Sequence, residues 1–377
     1  MGMMPQKLSN RQEGSLWEIR VLHLKKEAKL NSRDCIFVSL ERREPDRVPM
    51  LEWSIDPKVR NAIYPGCSYL DFLEKIGMDG VSLGYEHTMS GHDGDIQPGY
   101  KFKDKWGVTR VYTGEAIAYP VEGIIESEED LKSYIPPDPE DPDVLGPFPE
   151  LVQRFKGKKA IIWENRDALS NPRYLRGTEN LFLDYIMNPK FAHEITEMAL
   201  SYEIEVVKKA IKAGAEIVMF GDDYAYNTGP MISPNHFKEF VLPGLKKMVD
   251  LVHEMGAYCI KHSDGNLMKI LDMIIETGID GINPIDPIAG MDIQKIKKMY
   301  GNRVCIIGNI DCGNLLTNGT PDQVTKAVKR CISTASPGGG HILFSSNSIH
   351  SNVKPENFLA MIHATRRFGK YPINMIR

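Results

Sequence analysis

The sequence predicts an α/β protein, a single (β/α)₈ barrel of the TIM type with an N-terminal helical extension, and three observations carry that prediction. In the second half, short apolar segments of strand length alternate with helical segments of about 10–20 residues, the signature of parallel βαβ units. The later strand segments each run into a polar cluster: Gly-Asp-Asp, His-Ser-Asp, Asn-Pro-Ile-Asp, Gly-Asn-Ile-Asp and Ser-Ser-Asn. In a barrel the C-terminal ends of the strands converge on one face, where active sites sit. The third observation is size: 377 residues, 42% hydrophobic and 25% charged, is ordinary for a soluble globular chain and within the range of one barrel.

Taken in order, residues 1–30 read as a helical arm outside the barrel, and residues 31–377 as the barrel itself. A helix near Ser32–Arg42 leads through Glu-Pro-Asp-Arg-Val-Pro to a strand at Val48–Trp53. Residues 68–78 read as a helix that stops at Gly77, before a short strand at Gly80–Leu83. A glycine-rich stretch follows, with an antiparallel hairpin pairing Lys101–Trp106 with Val108–Thr113. Pro136–Pro149 is proline-rich and acidic, and reads as a stiff surface loop inside one domain. Strands are expected at Ala160–Trp163, Ala215–Phe220, Ala257–Lys261, Gly281–Asn283, Val304–Gly308 and Ile342–Ser345. The intervening helices are Thr178–Ile186, Pro189–Ala213, Pro234–Met255 with Ser233 as N-cap, Leu267–Thr277, Asp292–Tyr300, Pro321–Ala335 and Pro355–Phe368.

Composition narrows the function classes. A net charge of −4 with interleaved signs supplies no cation excess for a nucleic-acid partner. The six cysteines are scattered without a CxxC pair, as expected of reduced thiols in a cytoplasmic enzyme. The first residues lack the apolar core of a secretory signal, and no apolar run approaches the ~20 residues of a membrane span.

The strand ends supply the candidate site. His262 and Asp264 alternate outward from one strand end, and Asp222, Asp223, Glu52 or Glu86 could reach the same mouth. Such an oxygen–nitrogen set could hold zinc or another divalent ion that polarises a substrate oxygen, with His262, Asp264 and Asp223 as ligands. Tyr224 and Tyr226, with Trp53 at the first strand, could line a pocket for a planar ligand. Arg173 and Arg176 could grip an anionic group or pair with Glu179 and Asp184. Asn309 and Asn347 end strands facing the mouth. Ser336-Pro-Gly-Gly-Gly340 precedes a strand, not a helix, and reads as a turn.

These strand ends resemble the uroporphyrinogen decarboxylase (URO-D) superfamily, which includes the methylcobamide:coenzyme M methyltransferases and related corrinoid methyltransferases. The resemblance rests on Asp104-Lys-Trp-Gly-Val108, Leu175-Arg-Gly-Thr-Glu-Asn180 with Asn188-Pro189, Ala213-Gly-Ala-Glu-Ile217 leading to Gly221-Asp-Asp223, Ile232-Ser-Pro234, Lys261-His-Ser-Asp-Gly265, Gly308-Asn-Ile-Asp311 and Lys354-Pro-Glu-Asn357. The set falls in family order over about residues 45–370.

The resemblance implies one of two chemistries. The decarboxylases carry an arginine-rich segment after the first strand that grips substrate carboxylates; this chain has Pro49-Met-Leu-Glu-Trp-Ser54 there. Glu86 stands where they place an essential aspartate. The methyltransferase branch binds zinc through a His-x-Cys motif and a later cysteine. Here His262 keeps the histidine, Asp264 replaces the first cysteine and Asn347 stands at the last position. The departures fit a branch that demethylates small methylated substrates such as methoxylated compounds, which needs acid assistance at the leaving oxygen and no thiolate. With no cobalamin module or Asp-x-His-x-x-Gly signature, the corrinoid is expected on a partner protein, and the family pattern suggests a homodimer. The alternatives are cofactor-free decarboxylation through Glu86 or Asp223, and an inert ligand-binding barrel.

Overall fold

The structure, a computed structural model, describes residues 29–84, 97–114 and 118–373. Glu86 and nearly all of the expected N-terminal arm lie outside the described residues. The core is a curled parallel sheet of seven strands that neighbour one another in sequence order: β1 (Gly80–Gly84), β2 (Ala160–Asn165), β3 (Ile217–Phe220), β4 (Tyr258–His262), β5 (Gly281–Asn283), β6 (Cys305–Ile307) and β7 (His341–Ile342).

The expected first strand, Val48–Trp53, forms isolated bridges and no regular ladder. Met50 bridges Leu343 and Ile55 bridges Ile349, while Asp79 N–H donates to Met50 O at 3.0 Å on the other side. Pro49 has no N–H, which interrupts ladder pairing on this stretch. The segment nevertheless touches both edges of the sheet.

Side chains alternate across each strand with period two. One set points into the curl: Leu51, Trp53, Ala160, Ile162, Ile217, Met219, Ile260, Cys305, Ile307, Ile342 and Phe344 form one buried cluster. Ile36 and Leu40 of the helix Ser32–Leu40 belong to the same cluster and plug its N-terminal end. The opposite set, including Ile161, Trp163, Val218, Phe220, Cys259 and Ile282, packs under the outer helices. At ~25 cal/mol per Å² each fully buried aliphatic side chain contributes roughly 1.5–3 kcal/mol, so the two layers dominate stability.

The helices start where local chemistry dictates. Pro57–Ile63, Pro189–Ala213, Pro321–Ala335 and Pro355–Phe368 each carry proline in the first turn, where its missing N–H costs nothing. Thr320 and Gln323 form a reciprocal capping box. Tyr69–Ile76 stops at Gly77, whose φ of 74° suits glycine.

The expected continuous helix Pro234–Met255 is interrupted. Ser233 does cap it, but residues Phe237–Val241 form a π-turn before Leu242–Glu254 resumes. Pro243 explains the break, because it cannot donate to the carbonyl four residues back and its ring crowds that carbonyl. A helix at Phe148–Phe155 also emerges from the end of the acidic proline-rich loop, with Leu151, Val152 and Phe155 buried. Among the described residues, no helix is long and apolar enough to cross a membrane.

Candidate active site

At the C-terminal ends of β3 and β4 the sheet brings Asp223, His262 and Asp264 together, each with one ligand atom within 4.8 Å of the others. His262 is the last residue of β4, on the inward parity, and pairs in register with Asn283 of β5. Its Nδ1 lies 2.5 Å from Asn283 Oδ1, so Nδ1–H donates there. Nε2 is then a bare lone pair, 3.5 Å from Asp264 Oδ1 and 3.9 Å from Asp223 Oδ1. A lone pair facing two carboxylates is repulsive unless a proton or a metal cation sits between them.

Electrostatics agree. Burial, partly opposed by Asp223, pushes the His262 imidazole down to about 4, so the ring is neutral and able to ligate at neutral pH. Burial, with the charges of Asp223 and Asp286, pushes the Asp264 carboxyl well above its usual range. Asp264 Oδ1 is buried with no hydrogen-bond partner, while Oδ2 accepts from Asn347 Nδ2. Asp223 Oδ1 accepts from Asp264 N–H at 3.0 Å, which fixes the distance between the acids. A neutral imidazole, two carboxylates and an orphaned buried oxygen fit a divalent cation that takes nitrogen and oxygen ligands.

The shell that holds these groups includes Trp53. Its ring meets the His262 ring edge-on at 4.2 Å between centroids. Gly221, at the end of β3, makes room for the indole, since a Cβ there would lie 2.2 Å from Trp53 Cη2. Glu164 of β2 lies beside Trp53 and Ser82, and burial, partly opposed by those two neighbours, raises its carboxyl to about 8. Asp286, after β5, accepts from Gly265 N–H at 3.4 Å and adds its charge to the cluster.

The other sequence candidates sit elsewhere. Asp222 has the outward parity and is fully buried; its Oδ2 accepts from the N–H groups of Leu169 and Ser170, each at 2.8 Å, tying β3 to the helix Ser170–Arg176. Glu52 is buried beside β7, accepting from Ser345 N–H and Oγ at 3.0 and 2.8 Å, with burial raising its carboxyl to about 8. Tyr224 is buried and its hydroxyl donates to Asp167 at 2.7 Å, whereas Tyr226 is exposed on a two-residue hairpin strand. Asn309 donates to Ile285 O at 3.0 Å and lines a lateral groove between the helices Ile293–Tyr300 and Pro321–Ala335. Arg176 pairs with Asp184 at 2.6 Å and bonds the carbonyls of Ile125 and Glu126. Among the described residues, Arg173 donates to Met231 Sδ at 3.2 Å and to the Tyr174 hydroxyl at 3.4 Å, and its buried Nε has no partner.

Sequence reasoning missed Asn283, Glu164, Asp286 and the buried pair Lys261–Asp167 at 2.6 Å. The run Glu164-Asn-Arg-Asp167 at the end of β2 was a polar strand-end signal of the same kind as the others. Asn283 and Asp286 lay inside a polar cluster already noted, without their roles.

A methylated-thiol–coenzyme M methyltransferase of Methanosarcina mazei is 28% identical over 225 residues, 60% of this chain and 58% of that protein, so the match spans less than two thirds of the relative's length. A uroporphyrinogen decarboxylase of Pseudoalteromonas translucida is 25% identical over 279 residues, covering 68% of this chain and 73% of the relative. A solved methyltransferase structure from Methanosarcina mazei superposes with a TM-score of 0.71 over 90% of this chain and 99% of that one, at 17% identity, which establishes a shared fold. The family model for uroporphyrinogen decarboxylase (URO-D) matches residues 107–368, more than half of the sequence, and the chain belongs to that family.

Proposed function

We propose that this protein is a methyltransferase that moves a methyl group between a small methylated substrate, such as a methoxylated compound, and a corrinoid carried on a separate protein. The observation that carries the reading is the His262 Nε2 lone pair aimed at two carboxylates, one of which keeps an unpartnered buried oxygen. His262, Asp223 and Asp264 would hold a divalent ion, zinc foremost, which when bound supplies Lewis-acid polarisation of a substrate oxygen or sulfur. The similarity to a methylated-thiol–coenzyme M methyltransferase supports the reaction class.

The residues of this chain do the positioning. Asn283 and Trp53 fix the imidazole plane, and Asn347 orients the Asp264 carboxylate. The buried surroundings strengthen each electrostatic contact relative to water. No thiol takes part, since the nearest family positions hold Asp264 and Asn347. We also take residues 31–377 as one closed barrel, with the segment at Val48–Trp53 as its eighth strand, residues 1–30 as an extension, and a homodimer in the cytoplasm as the working form.

A second reading, cofactor-free decarboxylation, draws on the decarboxylase relatives and on buried acids with raised affinity for protons. One experiment separates the two. Zinc titration and elemental analysis compare wild type with His262→Ala, followed by cob(I)alamin-to-methylcobalamin absorbance with a panel of methylated donors. Near-stoichiometric zinc lost on mutation, with methylcobalamin formed, is the expected result. Wild-type protein that binds no divalent ion and leaves the corrinoid spectrum unchanged would sink the methyl-transfer reading.

A further inference from the structure

Among the described residues, Arg173 is paired with no carboxylate. Its Nη1 rests on Met231 Sδ, its Nη2 on the Tyr174 hydroxyl, and its buried Nε has no partner. A guanidinium is always charged, and its five N–H donors match a carboxylate in a bidentate fork. Leaving one half-buried on a thioether and a phenol is costly unless a ligand completes it.

The surroundings are biased the same way. The Arg110 and Arg173 guanidinium groups stand 4.7 and 5.2 Å from the Tyr174 ring centroid. Arg110 is already neutralised by Asp104 at 2.7 Å, and Arg166 lies 3.9 Å from Asp222, so of these three Arg173 is the one without a carboxylate among the described residues. Burial would raise the Tyr174 phenol, yet the charges of Arg166, Arg173 and Arg110 turn the net shift downward, a sign of positive potential at that spot. The hydroxyl of Tyr185, also near enough to feel Arg173, is buried without a hydrogen-bond partner.

We propose that Arg173 and Tyr174 form a subsite for the single carboxylate of a methylated organic acid. The inference rests on the methyl-transfer reading for the identity of the reacting end, but the carboxylate subsite stands on its own geometry. Met231, on whose sulfur Arg173 rests, donates its N–H to Tyr224 O, and Tyr224 follows Asp223, which ties the subsite to the chain segment that carries Asp223. The position is also distinct from the segment after the first strand, where the decarboxylases carry their arginines.

The test compares 4-methoxybenzoate with its neutral isostere 4-methoxybenzamide by isothermal titration calorimetry on the zinc-supplied full chain. Wild type should bind the acid about 10–100-fold more tightly than the amide, the range expected for charge-assisted hydrogen bonds. Arg173→Gln should abolish that preference, bringing the affinity for the acid down to that for the amide. Arg173→Lys should keep part of it, and Arg176→Gln should keep it whole. Thermal melts confirm that each variant folds, and Arg173→Lys serves if the glutamine variant does not. Equal affinity for acid and amide, or no measurable binding of either, overturns the subsite. An acid preference that depends on Arg173 alongside a silent corrinoid assay would instead sink methyl transfer and leave the subsite standing.

Discussion

Replacing Gly221 by alanine tests whether the indole of Trp53 is wedged against the sheet as a clamp on His262. Gly221 does not have a left-handed φ, so alanine is strained there only by space. Its Cβ would meet Trp53 Cη2 at 2.2 Å, Cζ2 at 2.9 Å and Cζ3 at 3.3 Å. Ordinary carbon contacts are ~3.5–4.0 Å, so the ring must retreat by roughly 1.5 Å. Trp53 is only 9% exposed and touches His262, leaving little room to retreat without disturbing the imidazole. Overpacking of this kind costs ~1–3 kcal/mol. The assay is urea denaturation followed by circular dichroism, with zinc titration of each folded variant. Phenylalanine lacks the outer ring atoms that clash, so in a Trp53→Phe background the alanine should cost at least ~1 kcal/mol less, a coupling typical of touching residues. The zinc affinity of Gly221→Ala should also fall. An equal cost in both backgrounds, or a cost within ~0.5 kcal/mol of zero, would refute the clamp.

Other consequences follow from the same contacts. Asp222→Ala orphans two buried N–H groups at the start of the helix Ser170–Arg176 and should destabilise the fold by ~2–5 kcal/mol; Asp222→Asn, which keeps an acceptor, should cost less in thermal or urea melts. The hydrogen bond to Asp280 raises the His253 imidazole above its ordinary value, so its stabilisation is fully present below about pH 6.5 and is lost as pH rises through the raised value. The stability gap between wild type and His253→Gln should therefore narrow from pH 6 upward, and a gap that widens contradicts the assignment. Glu52 behaves in the opposite sense from an ordinary paired acid: burial raises its carboxyl to about 8, so its ionisation erodes stability as pH climbs from about 4.5 through 8. Glu52→Gln should flatten that decline, and an unchanged profile in melts from pH 5 to 9 would show that the carboxyl ionises at no cost.

Much of this fold was legible because the helices announce their own starts. Proline in the first turn, just after Asn188 and Thr320, marks the starts of Pro189–Ala213 and Pro321–Ala335. What stayed hidden depended on partners distant in sequence. The expected strand at Val48–Trp53 forms only isolated bridges, because its pairing is set by Leu343 and Asp79, far away in sequence. The helix Phe148–Phe155 was masked by the prolines before it. At the site, strand-end chemistry pointed to His262, Asp264 and Asp223 without showing that Asp222 would turn outward, a matter of strand parity. Arg173 and Arg176 look alike in sequence, and only the fold shows Arg176 spent on Asp184 and Arg173 facing a thioether and a phenol.

The segment around Met50 has a consequence for the integrity of the molecule in solution. It is a single strip of chain that covers two raw edges at once, through Leu343 on one flank and Asp79 on the other. Uncovered strand edges are templates for pairing with other chains. A protein cut after residue 56 would lose that strip and the helix plug together, exposing two dissimilar edges, β1 and β7, on one body. Edges of that kind pair head to tail without closing, the geometry of open-ended fibres. Light scattering of such a truncated chain should show growth beyond dimers, whereas a well-behaved monomer would mean that the strip is dispensable as a seal.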